Sequence, residues 1–332
     1  MEKPISIASV TVAYNGGKLL PRHLEALKRQ SCKLDEIIVV NNASTDETAG
    51  LLSNHYPEVT VLNLPENRGV GGGYATGIAY AALQKKYNWV WLFDQDSVPA
   101  SDGLERLLSG LRDLGDGAES VAILAPVCVD PVSRIECPGL SWRGANLCAT
   151  RLKPGQRLIF ADSVLSSGSL VRRQAVEAVG LPRADFFIDF VDHEHCLRLR
   201  RHGFKVVVVQ DTFLDHVLGE PEERTLLGLK KYWTDHLPWR EYYMARNEVF
   251  TIQQYYPGWR FKGFVYYRLA RHALDVMLFG TEKIERLKMI FHGFLDGRAS
   301  RLGMRVLPGS RTESSPSSMP TVDCDRLATK ES

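Results

Sequence analysis

The first hundred residues repeat one pattern four times: a short run of β-branched and apolar residues, then a polar turn. Residues 5–14 lead into Asn15-Gly16-Gly17, after which Leu19, Leu20, Leu24 and Leu27 recur at helical spacing. Residues 36–40 (EIIVV) form a continuous apolar run that suits a strand buried on both faces, and it stops at Asn41-Asn42. Ser44 is expected to N-cap the next helix, with Glu47 three residues on as its capping-box partner. Residues 59–64 give a third strand, and a helix over 69–86 follows a Gly-rich lead-in. The fourth strand, 89–93 (WVWLF), ends at Asp94-Gln95-Asp96. Strands alternating with helices require right-handed crossovers and a mostly parallel sheet with helices on both faces. The fold class expected is α/β and Rossmann-like.

The rest of the chain is read more coarsely. Residues 121–164 carry Pro126, Pro131, Pro138, Gly139, Gly144, Pro154 and Gly155, so strands of mixed direction are expected there. A helix over 189–202 precedes a strand at 205–209 and a long loop over 211–239, a length that usually serves function. Helices follow at 240–256, 264–279 and 282–294, and beyond Leu307 the composition turns to Ser, Thr and Pro. This divides the chain into an α/β body (1–240), a helical extension (241–306) and a tail expected to be disordered (307–332).

Charge and cysteines narrow the class. Forty-one Lys and Arg against 39 Asp and Glu leave a net charge of +2, so no global field drives the chain onto nucleic acid. Cys32, Cys128, Cys137, Cys148, Cys196 and Cys324 contain no C-x-x-C pair and are read as reduced thiols. The first residues lack the shape of a secretory signal, and no run approaches a membrane span. The expectation is a cytoplasmic protein, with attachment to the inner face of the cell membrane left open.

Four stretches carry chemistry. Asp94 and Asp96 leave an apolar strand at the sheet's carboxyl edge, where open α/β sheets bind ligands. Two carboxylates at i, i+2 suit Mg²⁺ or Mn²⁺ carrying a diphosphate, and they also suit an ordinary polar turn. In ENRGVGGGYATG no G-x-G-x-x-G register fits. Gly71, Gly72 and Gly73 serve either close approach of a ligand or close helix–sheet packing, with Arg68 beside them. Asp192-His193-Glu194-His195-Cys196 matches no common zinc spacing. From Pro257 to Arg311, eleven Lys and Arg stand against four acids, a net +7, interleaved with aromatic residues. Such helices suit an anionic membrane surface or an ordinary packed cap.

Taken in order, TVAYNGG, VVNNASTDET, ENRGVGGGYATGI, WLFDQDS, FFIDFVDHEHCLRLRRHGFK, YYMARNE and GFLDGRASRLG resemble the family 2 glycosyltransferases of the GT-A fold. The D-Q-D-S form resembles bacterial rhamnosyltransferases of cell-surface polysaccharide assembly, and GVGGGY resembles galactofuranosyltransferases. The resemblance covers roughly residues 5–303. It implies that Ala13, Tyr14, Asn15, Asn41 and Asn42 hold the nucleotide, with Arg68, Gly71, Gly72 and Asp94 near the donor. Many relatives carry Asp at the position of Asn41, so uridine and deoxythymidine both stay open. The resemblance makes Asp192 the general base, sets Glu194 beside an acceptor pocket, and adds His216 to Asp94 and Asp96 as a ligand of Mg²⁺ or Mn²⁺.

The function this implies is inverting, metal-dependent transfer of a sugar from a nucleotide sugar to an oligosaccharide or lipid-linked acceptor. The donor expected is dTDP-L-rhamnose, with UDP-galactofuranose as the alternative. A non-catalytic nucleotide-sugar-binding protein is opposed by the intact Asp94, Asp96 and Asp192. A dehydrogenase is opposed by the missing dinucleotide fingerprint.

Overall fold

The computed structural model describes residues 5–143, 146–152, 154–216, 222–226, 229–233, 236–256 and 258–307. The first half follows the expected alternation: β1 (Ile7–Ala13), α1 (Leu20–Lys28), β2 (Glu36–Asn41), α2 (Thr48–His55), β3 (Thr60–Asn63), α3 (Gly69–Ile78) and β4 (Trp89–Asp94). A π-type turn over Ala79–Gln84 continues α3. Next come β5 (Val98–Pro99), α4 (Gly103–Asp113), β6 (Val121–Val129), β7 (Glu136–Cys137), β8 (Leu140–Arg143), β9 (Asn146–Ala149), β10 (Leu158–Ala161), β11 (Leu170–Arg172) and α5 (Arg173–Val179). The chain then gives α6 (Val191–Arg201), β12 (Lys205–Asp215), a hairpin of β13 (Glu222–Leu226) and β14 (Leu229–Trp233), and the helices α7 (Pro238–Tyr255), α8 (Trp259–Phe279) and α9 (Lys283–Arg298).

The main path of the ten-stranded sheet is β10-β12-β6-β11-β4-β1-β2-β3. Strands β3, β2, β1 and β4 pair in parallel. β11 enters antiparallel between β4 and β6, β10 pairs antiparallel with β12, and the second half of the sheet is therefore mixed. Period-2 side-chain direction builds a core on each face. Val10, Ile38, Val40, Val90 and Leu92 pack on the α3 side, whereas Val39, Trp89, Trp91 and Phe93 pack on the α1 and α4 side with Leu20, Leu24 and Leu104. Chain order reverses between β1 and β4, so their carboxyl ends open the crevice where a ligand can enter.

Two local expectations are corrected. Ser44 does not cap α2. Its hydroxyl accepts from the Asn15 N–H, Asp46 takes the Gly17 and Thr48 amides, and the helix starts four residues later. The expected strand at 205–209 runs on to Asp215 through a register shift between Val208 and Phe213, which takes up the front of the expected loop. Residues 217–221, 227–228 and 234–235 of that loop lie outside the described residues, as do Cys324 and, Leu307 apart, the expected tail. Among the described residues no cysteine takes part in a disulfide.

Candidate active site

The crevice is built by backbone ends that side chains tie together. At the β1–β4 switch, Gln95 Oε1 accepts from the Tyr14 N–H at 2.9 Å and Gln95 Nε2 donates to the Tyr14 carbonyl at 3.2 Å. That amide continues the strand pairing by one residue. A Cβ at Gly16 would lie 2.4 Å from Gln95 Oε1, so the glycine lets that amide keep its place against Tyr14. Asn15, in the left-handed region at φ 49°, accepts from Thr45 N–H at 2.8 Å, and so the loops after β1 and β2 are knitted together. Tyr14 stays exposed above Ala13.

Asn41 and Asn42 are buried, and their amides are occupied inside the protein. Asn41 Nδ2 donates to Asn63 Oδ1 at 2.8 Å, and its Oδ1 accepts from Ser44 N–H at 3.1 Å. Asn42 donates to Asn67 Oδ1 and the Gly69 carbonyl and accepts from Arg68 N–H at 2.9 Å. Asn42 thus fixes the lead-in to α3, while the Arg68 side chain remains exposed over that helix's first turn. The glycines of α3 serve close packing: a Cβ at Gly71 would meet the Arg183 carbonyl at 2.6 Å, and at Gly73 it would meet Val12 at 2.5 Å. At Gly72 the obstacle is the Arg68 side chain itself.

At the crevice floor, Asp94 Oδ1 accepts from the Tyr74 hydroxyl at 2.9 Å, and Asp94 N–H donates to Ser167 Oγ at 3.1 Å. The two strand residues Val98 and Pro99 pair antiparallel with Leu214 and Asp215, and this brings His216 alongside the D-Q-D turn. His216 Nε2 lies 3.9 Å from Asp94 Oδ2, and Nδ1 lies 3.5 Å from Asp96 Oδ1. Burial alone would lower the His216 pKa, but Asp96 and Asp94 hold it above its ordinary value. Burial pushes Asp94 up, opposed by His216 and helped by Asp96 and Asp192. Asp96 is also raised by burial, but its contact with His216 brings it below the usual carboxylate value. His216 therefore lies between two carboxylates, each of which favours its protonated form.

A buried polar chain supports this turn. His23, on α1, lies 2.6 Å through Nδ1 from the Ser97 carbonyl and 2.8 Å through Nε2 from Thr11 Oγ1. The carbonyl can only accept, so Nδ1 carries the proton and Nε2 accepts from threonine. Ser97 Oγ in turn meets Ser167 Oγ at 2.7 Å and His216 Nδ1 at 2.9 Å. Burial lowers the His23 pKa to about 4, so this histidine is neutral.

Asp192 stands in the first turn of α6, where its Oδ1 accepts from the His193 N–H at 2.8 Å. Its charge is near enough to the D-Q-D turn to contribute to raising both Tyr74 and Asp94. A cleft of about 310 Å³ runs alongside, lined by Asp189, Asp192, Arg240, Val70, Ser166 and Met244 among others. The loop that presents Asp192 is strained, with Phe187, Asp189 and Phe190 at φ of 66°, 59° and 61°. Helix α7 holds it there. Asn247 Nδ2 donates to the carbonyls of Phe186, Ile188 and Asp189 at 3.0, 2.8 and 2.9 Å, Arg246 binds the Asp185 and Phe186 carbonyls, and Arg240 pairs with Asp189.

Glu194 is not in the crevice, contrary to the expectation for it. It is fully buried, pairs with Arg198 at 2.9 Å, accepts from the Tyr255 hydroxyl, and belongs to the seam between α6 and α7. On a helix the residue two positions after Asp192 points about 200° away from it, which is the physical reason. His193 bonds Ser163 Oγ, and His195 is buried and kept neutral, its pKa lowered to about 3 by burial and Arg198. Tyr74, Gln95, Ser97, Ser167, His23 and Asn247 were missed from sequence. The tripeptide after Asp94 already contained two of them, and YYMARNE contained Asn247 without a stated role.

The fit of the D-Q-D turn to a divalent cation rests on its chemistry. Asp96 Oδ1 is buried with no hydrogen-bond partner, and hard carboxylate oxygens with one imidazole suit Mg²⁺ or Mn²⁺. Among the described residues no group of three or more His, Cys, Asp and Glu side chains is arranged as it stands to hold a metal ion.

Residues 9–134 match the family model for glycosyl transferase family 2. The chain carries a family 2 glycosyltransferase domain and is a glycosyltransferase. It is similar to the dTDP-rhamnosyl transferase RfbF of Shigella flexneri, at 27% identity across 75% of this chain and 80% of that protein. It is also similar to the galactofuranosyltransferase GlfT1 of Mycolicibacterium smegmatis, at 29% identity across 76% and 84%. Among solved structures, GalNAc-T7 with UDP, GalNAc and Mn²⁺ superposes with a TM-score of 0.59 at 14% identity, covering 91% of this chain and 57% of that one. That likeness establishes a GT-A-type fold.

Proposed function

We propose that the chain is an inverting, cation-assisted hexosyltransferase of cell-surface polysaccharide assembly that moves L-rhamnose from dTDP-rhamnose to a saccharide acceptor. What supports this reading is the Asp94–Asp96–His216 cluster at the β1–β4 switch, together with Asp192, whose charge is near enough to contribute to raising Asp94. The similarity to a dTDP-rhamnosyl transferase favours that donor, and the similarity to galactofuranosyltransferases favours UDP-galactofuranose as the second reading. Ala13, Tyr14 and Asn15 would meet the nucleotide at the crevice mouth. Asn41, Asn42, Gly71 and Gly72 would shape its walls through the backbone, and Arg68 would face the diphosphate. Residues 1–240 would carry donor and base, with 241–306 as their support.

Asp94, Asp96 and His216 would hold Mg²⁺ or Mn²⁺, which when bound neutralises charge on the departing nucleoside diphosphate. The remaining work falls to the protein. Asp192 accepts the proton of an acceptor hydroxyl, whose oxygen forms the new bond to the anomeric carbon. The old bond from that carbon to the diphosphate oxygen breaks, and its electron pair leaves on the phosphate. Attack from the face opposite the leaving group inverts the anomeric configuration. Strain in the Asp189–Phe190 backbone, held by Asn247, fixes where Asp192 points. The acceptor in this reading is a growing saccharide on a lipid carrier at the inner face of the cell membrane.

The test is a panel of nucleotide sugars with and without Mn²⁺. Metal-dependent binding and turnover of dTDP-rhamnose supports the reading, and preference for UDP-galactofuranose selects the second. Full turnover in excess EDTA removes the cation's role.

A further inference from the structure

Helix α8 is the loosely covered member of the C-terminal trio. Only Val265 and Val276 of its 21 residues are buried, against twelve on α7. Its outward positions recur at helical spacing: Arg260, Gly263, Tyr267, Ala270 and Arg271, Leu274, then Met277 and Leu278. Tyr267, Leu274, Met277 and Leu278, with Trp259 at the helix start, are 43% to 78% exposed. This stripe contains no acid. Arg260 and Arg271 have no carboxylate partner among the described residues, whereas Arg268, off the stripe, is held by Glu248 at 3.2 Å. At 1.5 Å per residue the stripe from Arg260 to Leu278 is about 27 Å long. Among the described residues no helix is long and apolar enough to cross a membrane, so the apolar stripe is suited to lie on one.

We infer that the outward face of α8 docks on an anionic lipid surface, with Trp259, Tyr267, Leu274, Met277 and Leu278 in the headgroup layer and Arg260 and Arg271 on lipid phosphates. Charge selects this occupant. α8 carries four basic residues and one acid, so the same face on a second copy would repel it, while anionic headgroups complement it. The apolar positions supply area that a purely electrostatic contact lacks, and arginine between them keeps its charge at the interface. The inference rests on the proposed lipid-linked acceptor only for its purpose. The stripe lies outside the crevice residues, so its loss leaves the donor site intact.

The experiment is flotation of the full chain with vesicles of equal parts phosphatidylglycerol and phosphatidylcholine, beside vesicles of phosphatidylcholine alone, with no acceptor present. Binding is expected on the anionic vesicles and should weaken with salt. A basic residue at an anionic surface contributes about fivefold, so the pair Arg260→Gln and Arg271→Gln should bind about 30-fold more weakly. The pair Leu274→Gln and Met277→Gln should lose at least about tenfold through apolar area. Nucleotide affinity and melting temperature, measured on the same samples, should match the wild type. Wild-type failure to bind anionic vesicles, variants that bind as the wild type does, or a vesicle-free dimer dissociated by these substitutions would each overturn the inference. Because no transfer is measured, an error in the proposed donor or acceptor chemistry would be a separate result.

Discussion

Asn247→Ala is the perturbation that links the helical extension to the chemistry. Its amide nitrogen serves three carbonyls of the loop before Asp192, and the side chain is fully buried. Alanine leaves those carbonyls without that donor. Arg246 still reaches Phe186, so two of them, on Ile188 and Asp189, lose the support that Asn247 gave. At about 1–3 kcal/mol for each buried group left unsatisfied, the loss is roughly 3 kcal/mol. Unfolding entropy of about 2.1 cal/mol/K per residue makes this about 4 °C in melting temperature for a chain of this size. The strained φ values at Phe187, Asp189 and Phe190 would relax, each storing about 1–3 kcal/mol, and Asp192 would lose its fixed direction. Transfer should therefore fall by more than the stability loss explains at 25 °C, where the variant remains folded, while nucleotide affinity is kept. The assay pairs scanning fluorimetry with initial rates. Unchanged melting and unchanged rate would refute the clamp; lowered melting with full activity would confine Asn247 to stability.

Four further outcomes follow from the geometry. His23 is neutral when folded, with a pKa of about 4 against about 6.5 unfolded, so the unfolded chain binds the extra proton first. Stability contributed by this site is complete above about pH 6.5 and falls as pH drops to about 4, by about 3 kcal/mol, and urea midpoints of wild type and His23→Gln across that range should converge in acid. Asp96→Asn should weaken metal-dependent nucleotide binding in calorimetry and nearly abolish transfer, because the buried Oδ1 facing His216 loses its charge. Glu194→Gln should cost about 3 kcal/mol by stripping Arg198 of its charged partner, with acceptor KM unchanged; a KM effect without destabilisation would return Glu194 to the acceptor pocket. Gly71→Ala should lower melting by forcing α3 off the Arg183 carbonyl, and an unaltered melting curve would contradict the packing role.

What was legible in the sequence was the half whose cause is local. Apolar runs such as EIIVV and WVWLF set β2 and β4, and their polar ends put Asn41 and Asp94 at the carboxyl edge. Ser44 misled because a capping box and a loop-to-loop tie have the same residue types; only the neighbouring Asn15 loop decides between them. β11, three residues long, carries too little pattern to announce itself as the antiparallel insert between β4 and β6. Glu194 shows a limit of spacing arguments: closeness to Asp192 in sequence does not put two helix residues on one face. His23, Ser97 and Asn247 act through partners 58 to 74 residues away, and Ser97 also reaches His216, 119 residues away, so nothing local marks them.

Asp192→Asn tests the central claim most directly. Asparagine keeps the shape and still accepts from the His193 N–H at the start of α6, so a capping role predicts little change in stability or activity. Loss of a positioned base predicts a fall in transfer rate of about 10²- to 10⁴-fold with donor affinity and melting temperature retained. The second pattern is the one expected. A transfer rate within a few-fold of wild type, measured beside unchanged donor binding, would contradict it and leave the crevice without its base.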